Sequence, residues 1–137
     1  QLRCDGSATR GTWVNNMRDF KKLDVWKIAR ELNKLVYVAT GDFPRDEIYG
    51  LTNQLRRAAV SVSSNIAEGC GRRTSKDFVS FLHNAMGSLK EIESQLFLAK
   101  DLDYLTEGGF NELNNKVVGL EMKLFSFIEY IRKSELR

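Results

Sequence analysis

Proline and cysteine are scarce in this 137-residue chain, which contains one proline and two cysteines. The single proline, Pro44, and the lack of long β-branched runs favour helices over strands. Cys4 and Cys70 lie outside any CxxC pair or histidine cluster, which excludes the usual spacing of a zinc site. We interpret both as free thiols of a cytoplasmic protein; the alternative is a Cys4–Cys70 bridge or a reactive Cys70. No apolar run approaches the roughly 18 residues of a membrane-spanning helix.

Residues arranged for catalysis are lacking as well. His83 is the only histidine, and no cysteine or spaced carboxylate pair beside it would complete a metal site. The serines of residues 61–64 have no GxSxG frame. Glu91 and Glu93 point to different faces of a helix, so they do not form an acid–base pair. We therefore predict a protein that is not an enzyme, has no cofactor and takes no small-molecule substrate.

Charge is distributed unevenly along the chain, although the net charge is only +3. Residues 44–76 hold six basic and three acidic side chains, whereas residues 77–137 hold seven basic and ten acidic ones. The first 16 residues are rich in Gly, Ser, Thr and Asn and show no periodicity. We expect residues 1–16 to be disordered or a remnant of cloning or upstream read-through, and residues 17–137 to form one bundle domain.

The apolar residues recur at steps of three and four in four segments, which predicts four helices. The first begins near Asp24, which can cap it, and ends at residues 40–42. The second runs from about Asp46 to Glu68, and Gly69 follows at the position where a left-handed C-terminal cap is expected. The third opens with Thr74 or Ser75 as its cap, and the fourth follows Thr106. Short connections predict an all-α, antiparallel up-down-up-down four-helix bundle.

The predicted core consists of one stripe per helix. The stripes are Val25, Ile28, Leu32, Leu35 and Ala39; Ile48, Leu51, Leu55, Ala58, Val62 and Ile66; Phe78, Leu82, Ala85, Leu89, Ile92, Leu96 and Ala99; and Phe110, Leu113, Val117, Leu120, Leu124, Phe127 and Ile131. A second row on the last helix, Val118, Phe125 and Ile128, widens its apolar face. That width suggests contact with a neighbouring subunit, although a wide face within one bundle is equally ordinary.

Polar residues, most of them uncharged amides and hydroxyls, line the opposite faces of helices two and three. The residues chosen from these rows as an interface are Gln54, Ser61, Asn65, Glu68, Ser88 and Glu91. Such rows fit a solvated face, or a hydrogen-bonded contact either between these two helices or between subunits.

A basic elbow joins the same two helices. Gly69 and Gly71 permit a turn, and the residues predicted to bind nucleic-acid phosphates are Arg72, Arg73 and Lys76, with Arg56 and Arg57 further back along helix two. A helix N-terminus beside glycines and cations can hold an anion. The alternative is a glycine-capped helix end with solvated charges, and the segment is not a Walker A loop.

The run QLRRAAVSVSSNIAEGCGRRTSK over residues 54–76, with Leu89-Lys90-Glu91 as a second landmark, resembles the bacterial four-helix-bundle proteins first noticed inside intervening sequences of large-subunit ribosomal RNA genes. The resemblance to this 23S rRNA-intervening sequence protein family spans about residues 18–135. It implies a ring-like homopentamer, and distant kinship to the basic pentameric accessory protein of diversity-generating retroelements, which binds nucleic acid and reverse transcriptase. It implies no enzyme activity.

Two functions follow as hypotheses. In the first, a homo-oligomer displays the elbow repeatedly and binds RNA or DNA backbone without sequence preference. In the second, the chain is a protein-interaction scaffold that contacts no nucleic acid, and Arg57 is tied to a carboxylate such as Glu68 or Glu91 within the bundle or its interface.

Overall fold

Four α-helices account for most of residues 19–135, the part of the chain that a computed structural model describes. They are α1 (Asp24–Thr40), α2 (Leu51–Cys70), α3 (Ser75–Asp101) and α4 (Glu107–Glu135), and two short 3-10 helices, Phe20–Lys22 and Arg45–Glu47, precede α1 and α2. The described range contains no strand, so the predicted all-α class is confirmed. The predictions for residues 1–16, including Cys4, lie outside the described residues.

Side-chain contacts show that successive helices run antiparallel. From α1 to α2, Asn33 bonds Ser63 and Thr40 bonds Arg56, so the pairs advance on one helix as they retreat on the other. Pairs between α2 and α3, Gln54 with Gln95 and Ser61 with Ser88, follow the same order. From α3 to α4, Phe97 packs on Phe110 and Lys90 reaches Glu121. An ion pair of 2.9 Å between Glu31 and Lys116 links α1 to α4.

The stripes predicted for α3 and α4 are buried along their whole length. Phe78 and Phe127 meet edge to face at 5.7 Å between ring centroids, inside the core that these two helices share. In the second row of α4, Ile128 is buried but Phe125 is 62% exposed. The four-three alternation is a local pattern, and two long helices packed lengthwise preserve it. None of the described helices is long and apolar enough to cross a membrane.

The predicted start of α1 near Asp24 is confirmed, but the predicted cap and stripe of this helix need correction. Leu23 stands at the N-cap position without a side-chain cap, and Asp24 is the first helical residue, where its charge still favours the helix dipole. Val25 and Leu32 are buried as predicted, but Ala29, Val36 and Thr40 are buried while Ile28, Leu35 and Ala39 are only partly covered. The buried face of α1 is therefore turned by about one residue, roughly 100°.

The predicted start of α2 at Asp46 is wrong. Residues 45–47 form a separate 3-10 turn, and the α-helix begins at Leu51 after Gly50. Glu47 Oε1 accepts a hydrogen bond of 3.1 Å from the Leu51 amide, and its Oε2 accepts one of 2.8 Å from the Tyr104 hydroxyl. Ile48 consequently falls outside the helix and is 56% exposed rather than in the core.

Gly69 is not the left-handed cap that the sequence suggested. It is the penultimate residue of α2, no described glycine has a positive φ, and Gly71 caps the helix in a right-handed conformation. A Cβ on Gly69 would stand 2.8 Å from Phe78 Cδ1 and 2.9 Å from Phe81 Cβ. Glycine occupies this position because α3 crosses too closely for any side chain.

Hydrogen bonds at the next two helix ends fix the turns of the bundle. Thr74 Oγ1 accepts from the Asp77 amide at 3.1 Å, which confirms Thr74 rather than Ser75 as the cap of α3. Beyond α3, Asp103 has a φ of 60°, and the Tyr104 amide donates back to the Ala99 carbonyl at 2.9 Å. This is the pattern of a Schellman cap, with Asp103 at the position that usually carries glycine.

Candidate nucleic-acid interface

A hydrogen-bonded polar seam joins α2 to α3. Ser88 Oγ donates to Ser61 Oγ at 2.9 Å, and Asn65 Nδ2 donates to the Ser61 carbonyl at 2.8 Å and to its hydroxyl at 3.0 Å. These atoms are partly buried, so their polar groups are satisfied by one another where water has little access. The Ser88–Ser61 bond is a contact between the two helices, one of the alternatives left open for the polar rows, whereas Asn65 supports Ser61 from within α2.

Farther along the same seam, the hydrogen bond between α2 and α3 is made by side-chain amides instead of hydroxyls. Gln95 Nε2 donates to Gln54 Oε1 at 3.3 Å and lies 3.4 Å from Glu91 Oε2. These bonds are exposed and long, so each contributes little to stability. Gln54 thus takes part in the seam, Glu91 contacts Gln95 from within α3, and Glu68 lies at the elbow.

The elbow between α2 and α3 is exposed, and its three cations differ in their contacts. Arg72 Nη2 lies 3.4 Å from Glu68 Oε1, and its guanidinium carbon is 4.4 Å from the centroid of the Phe81 ring. Arg73 and Lys76 are exposed and form no hydrogen bond or ion pair within residues 19–135. Arg72 is therefore held in place, whereas Arg73 and Lys76 offer their charge to solvent.

Arg56 is anchored to the C-terminal end of α1. Its Nε donates to Thr40 Oγ1 at 2.8 Å, its Nη2 donates to the Tyr37 carbonyl at 3.3 Å, and its guanidinium carbon lies 4.6 Å from the centroid of the Tyr37 ring. The cation thereby binds a helix C-terminus, where the carbonyls and the dipole favour positive charge. Arg56 has a structural role whatever else it contacts.

Arg57, one residue on, is exposed and has no ion pair or hydrogen bond in the described part of the chain. The tie to Glu68 or Glu91 that the scaffold hypothesis requires is absent from a single subunit. Arg57 borders a groove of about 500 Å³ on the outer side of α1 and α2. The groove is lined by Tyr37, Ile48, Thr52, Asn53, Arg56, Arg57, Val60 and Ser61.

Arg57 and the elbow lie along one side of α2. Arg57, Ser61, Ser64 and Glu68 recur at steps of three and four, and Arg72 continues the row through its contact with Glu68. From Arg57 to the last residue of α2, Cys70, the helix rises by thirteen positions, which corresponds to roughly 20 Å of helix axis, and Arg72 follows just beyond. We call the set Arg56, Arg57, Arg72, Arg73 and Lys76 the basic surface.

Cys70 lies under the elbow and is a free, buried thiol. Burial, with a smaller contribution from the charge of Asp19, raises the pKa of Cys70 to about 12. A thiol in this state is protonated at neutral pH and is a poor nucleophile. The described residues include no group of three or more His, Cys, Asp or Glu that could hold a metal ion.

Sequence reasoning missed the α1 side of the groove and the aromatic partners of the arginines. Tyr37 falls outside the predicted stripe of α1, and Phe81 falls outside that of α3. An exposed aromatic residue off a helix stripe is a signal that the pattern contained. Its pairing with a particular arginine depends on how the helices pack, which the spacing does not specify.

Comparisons with known proteins agree with this architecture. A crystal structure of a protein with unknown function from the S23 ribosomal protein family of Bacteroides thetaiotaomicron is similar to this chain, with a TM-score of 0.70 and 23% sequence identity. The match covers 77% of this chain and 95% of that chain, and it shows a shared fold. No curated protein matches the sequence. The family model described as 23S rRNA-intervening sequence protein matches residues 21–126. Because that match extends over most of the chain, the chain belongs to the 23S rRNA-intervening sequence protein family.

Proposed function

We propose that this protein is a non-enzymatic, cytoplasmic homopentamer that binds the backbone of RNA or DNA through its basic surface. The observation that carries the proposal is the state of Arg57, Arg73 and Lys76, which are exposed and have no partner within the described chain. Cations that stabilise the fold are paired or stacked, whereas cations that bind phosphate must be left accessible.

The other two members of the basic surface are positioned by the bundle. Arg56 and Arg72 each rest on an aromatic ring and each retain guanidinium donors beyond the contacts described. Glu68 and Asp77 lie at the same elbow and offset part of its charge, so one subunit provides only a weak site. Repeating that site around a ring raises the overall affinity, because a bound strand reaches the next site at high effective concentration.

The experiment is a titration of a fluorescent oligonucleotide with the full chain at several salt concentrations. We expect affinity to fall steeply as salt rises, since each neutralised phosphate contributes about 0.9 to the slope of log K against log salt on duplex DNA and about 0.7 on a single strand. The variant Arg57→Gln/Arg73→Gln/Lys76→Gln should lose most of this slope. The control Lys34→Gln/Lys123→Gln/Lys133→Gln removes the same charge from exposed lysines elsewhere. Equal loss in both variants, or an affinity that salt does not change, would refute a specific basic surface.

A protein-interaction scaffold is the second candidate, and exposed apolar side chains favour it. Met122 is 67% exposed and Phe125 is 62% exposed on α4, and a partner protein that docks there would cover both side chains. The two candidates differ in what Arg57 does. Replacing Arg57 should disrupt oligomers if the residue pairs across a subunit boundary, but should spare assembly and weaken binding if it contacts phosphate. Size-exclusion chromatography with light scattering, with and without RNA, separates these results.

A further inference from the structure

The groove between α1 and α2 combines features that are not needed for binding a phosphate backbone alone. Polar lining residues come from α2, where Asn53, Arg57 and Ser61 share a face at steps of four. Apolar surface in the lining comes from Ile48, before α2, and from Val60 on α2, which are 56% and 42% exposed. At about 500 Å³ the groove falls within the range of roughly 300–1,000 Å³ typical of small-ligand sites, so it has room for a nucleotide.

Two exposed tyrosines belong to this region: Tyr37 is one of the lining residues, and Tyr49 is the chain neighbour of the lining residue Ile48. Tyr37 lines the groove and is 45% exposed, and the Arg56 guanidinium 4.6 Å from its ring centroid fixes the ring's position. Tyr49 follows Ile48 in the short connection before α2 and is 92% exposed. Leaving aromatic surface in water forgoes the free energy of its burial, so an exposed ring in the same groove lining as the unpaired Arg57 indicates a planar ligand.

Polar atoms in the groove are available to the edge of that ligand. The side chain of Asn53 makes no hydrogen bond with other described residues, so its amide can both donate and accept. Arg57 beside it is likewise unpaired. One nucleotide offers three kinds of contact. Its base edge can pair with an amide, its phosphate with a cation, and the face of its base with an aromatic ring.

We infer that this groove binds an unpaired base of a single-stranded polynucleotide, stacked on Tyr49 or Tyr37, while Arg57 holds the adjoining phosphate. The inference rests on the proposed function and narrows it to strands with exposed bases, because a base inside a duplex is stacked and cannot enter. A strand that continues along α2 from the groove reaches the elbow after roughly 20 Å.

The test compares a single-stranded 12-mer with a 12-bp duplex by fluorescence anisotropy, using the full chain and the variants Tyr49→Ala and Tyr49→Phe. Tyr49 is chosen because its exposed ring contributes little to the fold. We expect tighter binding of the single strand, a loss of roughly 5- to 150-fold for Tyr49→Ala on that probe, and no change on the duplex. Tyr49→Phe keeps the ring and should bind as the wild type does. Probes with ribose and with deoxyribose identify which polynucleotide is preferred.

The outcomes separate the groove from the basic surface. Equal binding of both probes, with no effect of Tyr49→Ala, overturns the inference while leaving salt-dependent backbone binding intact. No binding of either probe at low salt overturns the proposed function and the inference together. A loss for Tyr49→Phe as large as for Tyr49→Ala would show that the hydroxyl, not stacking, is recognised, and would also overturn the inference.

Discussion

Glycine at position 69 illustrates how one residue can be set by packing rather than by backbone conformation. Gly69→Ala should destabilise the protein by about 1–3 kcal/mol, because its methyl group would overlap the Phe78 ring and the Phe81 Cβ. Alanine's better helix propensity offsets about 1 kcal/mol at most. Urea denaturation followed by circular dichroism measures the change.

Gly87 provides the matched control for that substitution. It lies in the middle of α3, and nothing stands within 4 Å of where its Cβ would be. Gly87→Ala should therefore stabilise the protein by about 0.5–1 kcal/mol, as helix propensity alone dictates. If both alanines stabilised the protein, the close crossing of α2 and α3 at Gly69 would be contradicted.

Asp103 is a second residue whose backbone decides its role. With a φ of 60° it adopts the left-handed conformation, which glycine tolerates best and which costs most other residues roughly 1–2 kcal/mol. Asp103→Gly should thus be more stable than Asp103→Ala by about 1 kcal/mol. Thermal unfolding of the two variants measures this difference directly. A more stable alanine variant would show that the turn after α3 does not require this conformation.

At the level of helices, prediction succeeded where the determinants are local. The stripes of α3 and α4 are continuous alternations, and every member predicted for them is buried. The start of α2 was misplaced because it depends on Glu47, whose partners include Tyr104, 57 positions away. The rotation of α1 likewise follows from contacts with α2, such as that of Thr40 with Arg56. Spacing within one segment contains no information about either contact.

Glu47 makes the junction before α2 sensitive to pH. The hydrogen bond that Glu47 accepts from the Leu51 amide lowers the pKa of its carboxyl below the usual value. The bond from the Tyr104 hydroxyl lowers this pKa further, by a smaller amount. The unfolded chain, with a Glu pKa of about 4.3, therefore holds this proton more tightly than the native state does. The stabilisation is complete above the unfolded pKa and is lost as pH falls through the lower native pKa.

Glu47→Gln should accordingly be less stable than the wild type at pH 7, and the gap should narrow as pH falls from about 5 to 3. Chemical denaturation at a series of pH values measures the gap. Glu112→Gln is the control, since Glu112 is exposed and has no partner among residues 19–135. A gap for Glu47→Gln that stays constant across this range would mean that the carboxylate charge is not what the junction uses.

For the molecule as a whole, the sequence shows where the cations of the basic surface lie along the chain but not which of them the fold holds in place. Arg56 and Arg57 are adjacent in sequence, yet one is anchored to α1 and the other is free. The difference comes from a rotation of about 100° between neighbours on a helix, which turns one side chain toward α1 and the other toward solvent. The groove was missed for the same reason, since its walls come from two helices and the connection between them.

Assembly is the last property to test, and the exposed apolar row of α4 is where the proposed pentamer would form contacts. Val118, Met122 and Phe125 recur at steps of four and three, and the last two are mostly exposed. Burying such a row between subunits is favourable, whereas a carboxylate placed there must be desolvated.

Met122→Glu/Phe125→Glu should therefore reduce the mass measured by light scattering from about five chains to one chain of 15.7 kDa, with helical content retained. Ser94→Glu, on an exposed position of α3, should leave the pentamer intact. A double variant that keeps the mass of the wild type would place the subunit contacts on another face, and a wild type with the mass of one chain would remove the ring from the proposed function.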